Sequence, residues 1–174
     1  MKRTTIFSIL ALIFLLPLAA HSQKVTVDWD HGIHNFSVFR TYSWVRPIRP
    51  VANQLMDRRI VAAIENQLSA KGLKKVDGKA DLLVTYGTGM RRERSATAMG
   101  MGMGRFRMGG GMATINRNVS TVGMLTVDIT GAKSNLLIWR GTAADTLSNK
   151  PEKNTKKIDK AVAKMFKKYP PPMK

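Results

Sequence analysis

The chain has 174 residues, with 29 lysines and arginines against 11 aspartates and glutamates, no cysteine and a formal net charge of +18. The absence of cysteine excludes a disulfide framework, so the stability of the fold must come from an apolar core. The excess of positive charge favours anionic partners such as lipopolysaccharide, phospholipid headgroups, polyanions or an acidic protein.

Residues 1–22 have the layout of a cleavable secretory signal peptide. Lys2 and Arg3 precede an apolar run that ends before Pro17. This run is shorter than the roughly 20 apolar residues of a transmembrane helix, which makes an N-terminal membrane anchor the weaker alternative.

Cleavage is predicted between Ser22 and Gln23, because Ala20 and Ser22 are small residues at the positions that signal peptidase recognises. The mature chain then keeps 27 basic and 11 acidic residues, a net charge of +16. No cysteine lies at the site for lipid attachment. We therefore expect a periplasmic or secreted protein of a Gram-negative envelope that is not lipid-anchored and that seldom meets nucleic acid.

The first elements of the mature chain are predicted to be strands. Val25, Val27 and Trp29 alternate with polar residues, and the segment 40–45 alternates in the same way after a turn-rich connector. This pattern favours a β-hairpin with a long loop.

Two amphipathic helices are predicted. Asn53 can cap the first, which runs to about Lys71 before Gly72, and three consecutive prolines from Pro170 end the second. The apolar stripe of the first helix is Met56, Ile60, Ile64 and Leu68, and that of the second is Ile158, Ala161, Val162, Met165, Phe166 and Tyr169.

The centre of the chain divides into strands and a long loop. Residues 80–86 predict a buried strand, and residues 122–129 and 136–146 predict two more, joined by a turn. The glycine-rich stretch 87–121 is predicted to be a flexible loop, because ordering so many glycines costs chain entropy.

These elements predict a single α+β domain over residues 23–171, in the order ββ-α-β-loop-ββ-α. A mainly antiparallel sheet of about five strands with both helices on one face is the simplest way to bury every apolar stripe.

Five segments in this order resemble the bacterial envelope family called domain of unknown function 4136. They are residues 36–44, 80–84, 123–128, 137–141 and the basic helix that ends in residues 169–171. The resemblance implies a periplasmic or outer-membrane-associated protein of undetermined role. Many relatives carry a lipid-anchored cysteine where this chain has Ser22 and Gln23, and Thr130 replaces an acidic residue that is common in relatives.

Two groups in the glycine-rich stretch are candidate binding residues. Soft thioether ligands select Cu(I), so the methionines favour Cu(I) or Ag(I) binding, although methionine is also an adaptable apolar contact. The arginines suit anionic groups or a partner protein. The methionines are Met99, Met101, Met103, Met108 and Met112, and the arginines are Arg91, Arg92, Arg94, Arg105 and Arg107.

Weaker candidates are the cluster Asp28, Asp30, His31 and His34, as a divalent-metal site, and the isolated carboxylates Asp81 and Asp128. No nucleophile turn or phosphate-binding loop is found. We therefore expect a non-enzymatic envelope binding or interaction protein without a cofactor. A copper-binding protein and an unrecognised hydrolase remain alternatives. The basic helix allows peripheral membrane contact, and the oligomeric state stays open.

Overall fold

The computed structural model describes residues 23–33, 35–45, 53–99 and 114–171, with only the backbone described at 95–99 and 114–118. Its elements form one six-stranded mixed sheet with two helices, an α+β fold as the sequence predicts. In chain order they are β1 Lys24–Trp29, a 3-10 turn Phe36–Val38, β2 Thr41–Trp44, α1 Gln54–Ala70, β3 Lys74–Lys75, β4 Leu82–Met99, β5 Thr114–Gly131, β6 Leu137–Thr146 and α2 Pro151–Phe166.

The strand order across the sheet is β1-β6-β5-β4-β2-β3. The predicted hairpin of β1 with β2 is therefore wrong: β1 pairs antiparallel with β6, whereas β2 pairs parallel with β3 and β4. Alternation along a strand reports which face is buried, but it does not identify the neighbouring strand. The two N-terminal strands consequently lie at opposite sides of the sheet.

The predicted loop over residues 87–121 is also wrong for most of its length. β4 and β5 pair without interruption from Leu82 opposite Gly131 to Met99 opposite Thr114. Antiparallel pairing with β5 supplies regular backbone hydrogen bonds before, at and after Gly87 and Gly89 along β4, which offset the entropy that glycine loses on ordering. The methionine-rich residues 100–113 lie outside the described part.

Both predicted helices are confirmed, although the second ends at Phe166, before Tyr169 and the prolines that were predicted to end it. The Asn53 side chain accepts hydrogen bonds from the backbone N–H groups of Leu55 and Met56, which caps α1. Gly72, just after α1, has a φ of +82°, a conformation that favours glycine. α2 begins with Pro151. Proline suits the first helical position because it has no backbone N–H that would need a hydrogen-bonding partner there.

The core lies between one face of the sheet and both helices. Ile64 and Leu68 of α1 and Val162 and Met165 of α2 pack there with alternate residues of the central strands. The Trp139 ring on β6 is fully buried and contacts the rings of Phe166 and Tyr169 at centroid distances of 5.1 and 5.6 Å. In the described part of the chain, neither helix is sufficiently long and apolar to cross a bilayer.

Candidate functional site

An open cleft with a volume of about 510 Å³ lies where the sheet continues beyond the cover of the two helices. The N-terminal halves of α1 and α2 form its two walls, and the continuation of β4, β5 and β6 forms its floor. Its apolar lining includes Met56, Ile60, Met90, Leu125, Leu147 and Ile158.

The floor of the cleft follows from the alternation of β4. Val84 and Tyr86 point into the core, and Thr88 and Met90 continue the same face but line the cleft instead. The Met90 side chain is 77 % exposed. The strand therefore keeps an apolar face after the helices have ended.

A glycine shapes the opposite strand of the floor. Gly123 on β5 pairs with Met90, and a Cβ atom at Gly123 would lie 2.7 Å from Cδ2 of Leu147. Glycine thus allows the Leu147 side chain to lie over β5 and to close one side of the cleft.

The polar groups at the rim are bonded to one another. Lys157 Nζ lies 3.0 Å from Asp145 Oδ1 and also donates to the carbonyl oxygen of Thr146. The Asn154 side chain accepts from the Ser148 N–H at 2.8 Å and donates to the Ser148 carbonyl at 2.7 Å. These contacts order the rim and leave the interior of the cleft to apolar contact.

The family of the chain follows from a match of its sequence to a family model. The model of the family described as "Domain of unknown function (DUF4136)" matches residues 25–171. The chain belongs to this family. No curated protein matches the sequence.

Three solved structures are similar to this DUF4136 chain. A PDZ domain protein from Parabacteroides distasonis is 19 % identical with a TM-score of 0.56, and the match covers 86 % of this chain but only 35 % of that one. A PelC dodecamer from Paraburkholderia phytofirmans is 11 % identical in sequence with a TM-score of 0.47, and the match covers 95 % of that chain. A minor lipoprotein from Acinetobacter baumannii is 13 % identical with a TM-score of 0.39, and the match covers 92 % of that chain. The match covers 82 % of this chain for PelC and 75 % for the lipoprotein. The first match shows a shared fold.

The structure divides the arginines that the sequence singles out. Arg92 and Arg94 follow Met90 on the same face of β4, whereas Arg91 points to the opposite face and forms an ion pair with Glu93. All three arginines are exposed. Arg105 and Arg107 lie outside the described residues.

The methionine candidates are placed only at one end. The backbone of Met99 ends β4 opposite Thr114, while Met101, Met103, Met108 and Met112 lie outside the described residues. At the predicted cleavage site, Ser22 is likewise outside, whereas Gln23 donates from Nε2 to the Lys157 carbonyl oxygen at 2.7 Å.

The acidic and histidine cluster is occupied by local contacts. Asp30 Oδ1 accepts from the Gly32 N–H at 2.8 Å, Asp28 Oδ1 accepts from the Trp29 N–H, and the His31 ring lies 5.1 Å from that of Trp29. Within the described residues, which omit His34, no group of three potential metal ligands is found.

The two isolated carboxylates pair within the sheet. Asp81 Oδ2 accepts from the N–H groups of Arg40 and Thr41 and from the Thr41 hydroxyl. These hydrogen bonds, that from Arg40 first, hold the pKa of Asp81 below its ordinary value. Asp128 accepts two bonds of 2.6 Å from the Arg140 guanidinium, and this pairing raises the arginine pKa.

The cleft itself is missed by sequence reasoning. The apolar pattern assigns Met56, Ile60 and Ile158 to core stripes, and Ile60 is indeed buried, but all three also line the cleft. The available signal is their position in the N-terminal halves of the two helices, combined with a strand that stays apolar as far as Met90.

Proposed function

We propose that this protein is an exported binding module of the bacterial cell envelope, and that it takes up an apolar group in the cleft without catalysing a reaction. One observation carries this proposal: the cleft is open, lined by apolar side chains and about 510 Å³ in volume. Protein sites for small ligands commonly have about 300–1,000 Å³ and a mainly apolar lining.

The bonding of the rim supports binding rather than chemistry. Lys157 and Asp145 neutralise each other, and Asn154 is held by the backbone of Ser148. Catalysis needs an acid, a base or a nucleophile that is directed at a bound substrate. The rim groups instead fix the walls around an apolar interior.

The sequence supports an envelope location. Residues 1–22 have the charged, apolar and small-residue regions of a signal peptide, and the mature chain has a net charge of +16. A protein with this charge attracts the anionic molecules of an envelope, whether lipids or acidic proteins.

The proposal is tested with a neutral apolar dye, N-phenyl-1-naphthylamine, added to the mature protein. Thr88→Phe places a ring in the cleft and should weaken dye binding at least tenfold, as judged by fluorescence. Thr26→Phe is the matched control, because Thr26 is exposed on β1 outside the cleft lining. Equal binding by both variants, with unchanged circular dichroism, would contradict the proposal.

Cu(I) binding is a second candidate, favoured by the β4–β5 register. Pairing of Met99 with Thr114 holds the two ends of the methionine-rich segment next to each other. Proximity of the ends lowers the entropic cost of gathering several thioethers around one soft ion. Titration with Ag(I) should shift methionine methyl signals of residues 99–112, and an unchanged NMR spectrum would remove this candidate.

A further inference from the structure

We infer that the ligand of the cleft is a single-chain anionic amphiphile, with its hydrocarbon chain among the apolar residues and its anionic headgroup at Arg92 and Arg94. This inference rests on the proposed function of the cleft and names the chemical class of its ligand.

The interior of the cleft favours hydrocarbon over a peptide. A peptide segment would bring backbone N–H and C=O groups that need partners once they leave water. The rim groups nearest to them, Lys157, Asp145 and Asn154, are already bonded. Met56, Met90 and Ile158 offer apolar surface, and methionine adapts its shape to flexible chains.

The headgroup position follows from the geometry of β4. Met90, Arg92 and Arg94 share one face, and a strand rises about 3.3 Å per residue, so Arg92 lies about 7 Å and Arg94 about 13 Å beyond Met90. The cleft floor therefore leads directly to two guanidinium groups. Arginine forks match phosphate, sulfate and carboxylate oxygens in pairs.

The charges around the cleft leave these two arginines available. Within the described part of the chain, no carboxylate lies within ion-pair distance of Arg92 or Arg94, whereas Glu93 is paired with Arg91 on the other face. The lining carboxylate Asp145 is paired with Lys157, and Asp57 of α1, which is not a lining residue, accepts from the hydroxyl of Tyr86. An anionic headgroup thus meets two guanidinium groups that pair with no carboxylate of the described residues.

The first experiment measures chain-length dependence with octyl, decyl and dodecyl phosphate, each below its micellar concentration, by calorimetry on the mature protein. About 0.8 kcal/mol per buried CH₂ corresponds to an affinity that rises about fourfold per carbon until the cleft is filled. An affinity independent of chain length would overturn the inference.

The second experiment separates the headgroup from the chain. The double variant R92Q/R94Q should bind dodecyl phosphate at least tenfold more weakly and dodecyl maltoside unchanged, and Arg91→Gln should leave both affinities unchanged. Retention of dodecyl phosphate binding by the double variant would overturn the headgroup assignment while leaving the proposed function intact. If Thr88→Phe instead binds dodecyl phosphate and dodecyl maltoside as tightly as the parent protein does, the cleft is not the binding site and the proposed function is overturned.

A third variant tests the junction of chain and headgroup. Met90→Glu places a negative charge between the cleft and Arg92, on a side chain that is 77 % exposed, so folding should be preserved. We expect at least a fivefold loss of dodecyl phosphate affinity. Leu136→Glu, at a 60 % exposed position outside the cleft lining, is the matched control and should bind as the parent protein does.

Discussion

The two central strands, β4 and β5, each pass through two different environments in this protein. Under the helices, Val84 and Val127 are fully buried, and Trp139 of the neighbouring strand lies beside them in the core. Farther along, β4 presents Met90 to solvent at 77 % exposure, on the face that Val84 occupies in the core. The strand pattern is alike in both regions, and the helices decide which part becomes core and which part becomes a cleft. In the first region apolar surface stabilises the fold, and in the second it remains available to a ligand.

The largest expected effect lies in the covered region. Trp139→Ala removes a fully buried ring that contacts Phe166 and Tyr169, and it should lower the free energy of unfolding by about 3–5 kcal/mol, because a cavity is left in the core. Met90→Ala, the counterpart in the open region, should change stability by no more than about 0.5 kcal/mol. Urea unfolding followed by tryptophan fluorescence or circular dichroism measures both. Similar losses in the two variants would contradict the division into core and cleft.

Glycines sharpen the same comparison with a smaller effect. A Cβ atom at Gly141 would lie 2.6 Å from Cη2 of Trp139 and 2.8 Å from Sδ of Met165, so Gly141→Ala should destabilise the fold by about 1–3 kcal/mol through overpacking. A Cβ atom at Gly87 meets nothing within 4 Å. Gly87→Ala should therefore be neutral or should stabilise the fold by up to about 1 kcal/mol, because alanine loses less chain entropy. Thermal unfolding of the two variants should show shifts in opposite directions or a shift in Gly141→Ala alone.

The helices could be predicted from the sequence because their determinants are local. The stripe that contains Val162 and Phe166 repeats with the helical period, and Asn53 and Gly72 are residue types that helix ends require. Each of these signals lies within a few residues of the structure that it specifies. The buried faces of the strands could be predicted for the same reason, and Val25 and Val27 do pack against the core.

The pairing of the strands could not be predicted because it depends on contacts between distant residues. Nothing in residues 24–29 indicates that their partner is β6, more than 100 residues away along the chain. The lengths of β4 and β5 were underestimated for another reason. Gly87 and Gly89 lower the strand propensity of β4 locally, whereas the uninterrupted pairing with β5 is a property of two segments together.

The candidate site was predictable only in its charge. Arg92 and Arg94 were recognisable as possible anion contacts, but their distinction from Arg91 requires the register of β4 as a strand. The cleft requires more, since Met56 and Ile158 come from two helices whose relative placement no local pattern specifies. A cleft between elements is a tertiary property, so it emerges only with the fold.

A third prediction concerns the wall of the cleft. The Asn53 side chain accepts from the N–H groups of Leu55 at 2.9 Å and Met56 at 3.2 Å, and Asn53→Ala should cost about 1 kcal/mol through loss of this cap. Since Met56 lies in the first turn of α1, fraying there should also weaken dye binding in the cleft. Asn66→Ala, an exposed change later in the same helix, is the control and should be neutral or slightly stabilising because alanine favours helix. Dye binding that is lost equally in both variants would argue against a role for the first turn.

The smallest expected effect lies far from the cleft, where Asp81 joins β2 to the start of β4. Its carboxylate accepts three hydrogen bonds from Arg40 and Thr41, which hold its pKa below the ordinary value. A lowered folded-state pKa contributes stability above the unfolded value of about 3.9, and that contribution is lost as the pH falls through the folded-state pKa. Asp81→Asn should therefore melt at a lower temperature than the parent at pH 7, with a difference that shrinks as the pH falls below about 4. Asp159→Asn, at an exposed position on α2, is the matched control and should lack this pH-dependent difference. A difference for Asp81→Asn that stays constant from pH 7 to the acid limit would mean that the charge of this carboxylate does not stabilise the β2–β4 junction.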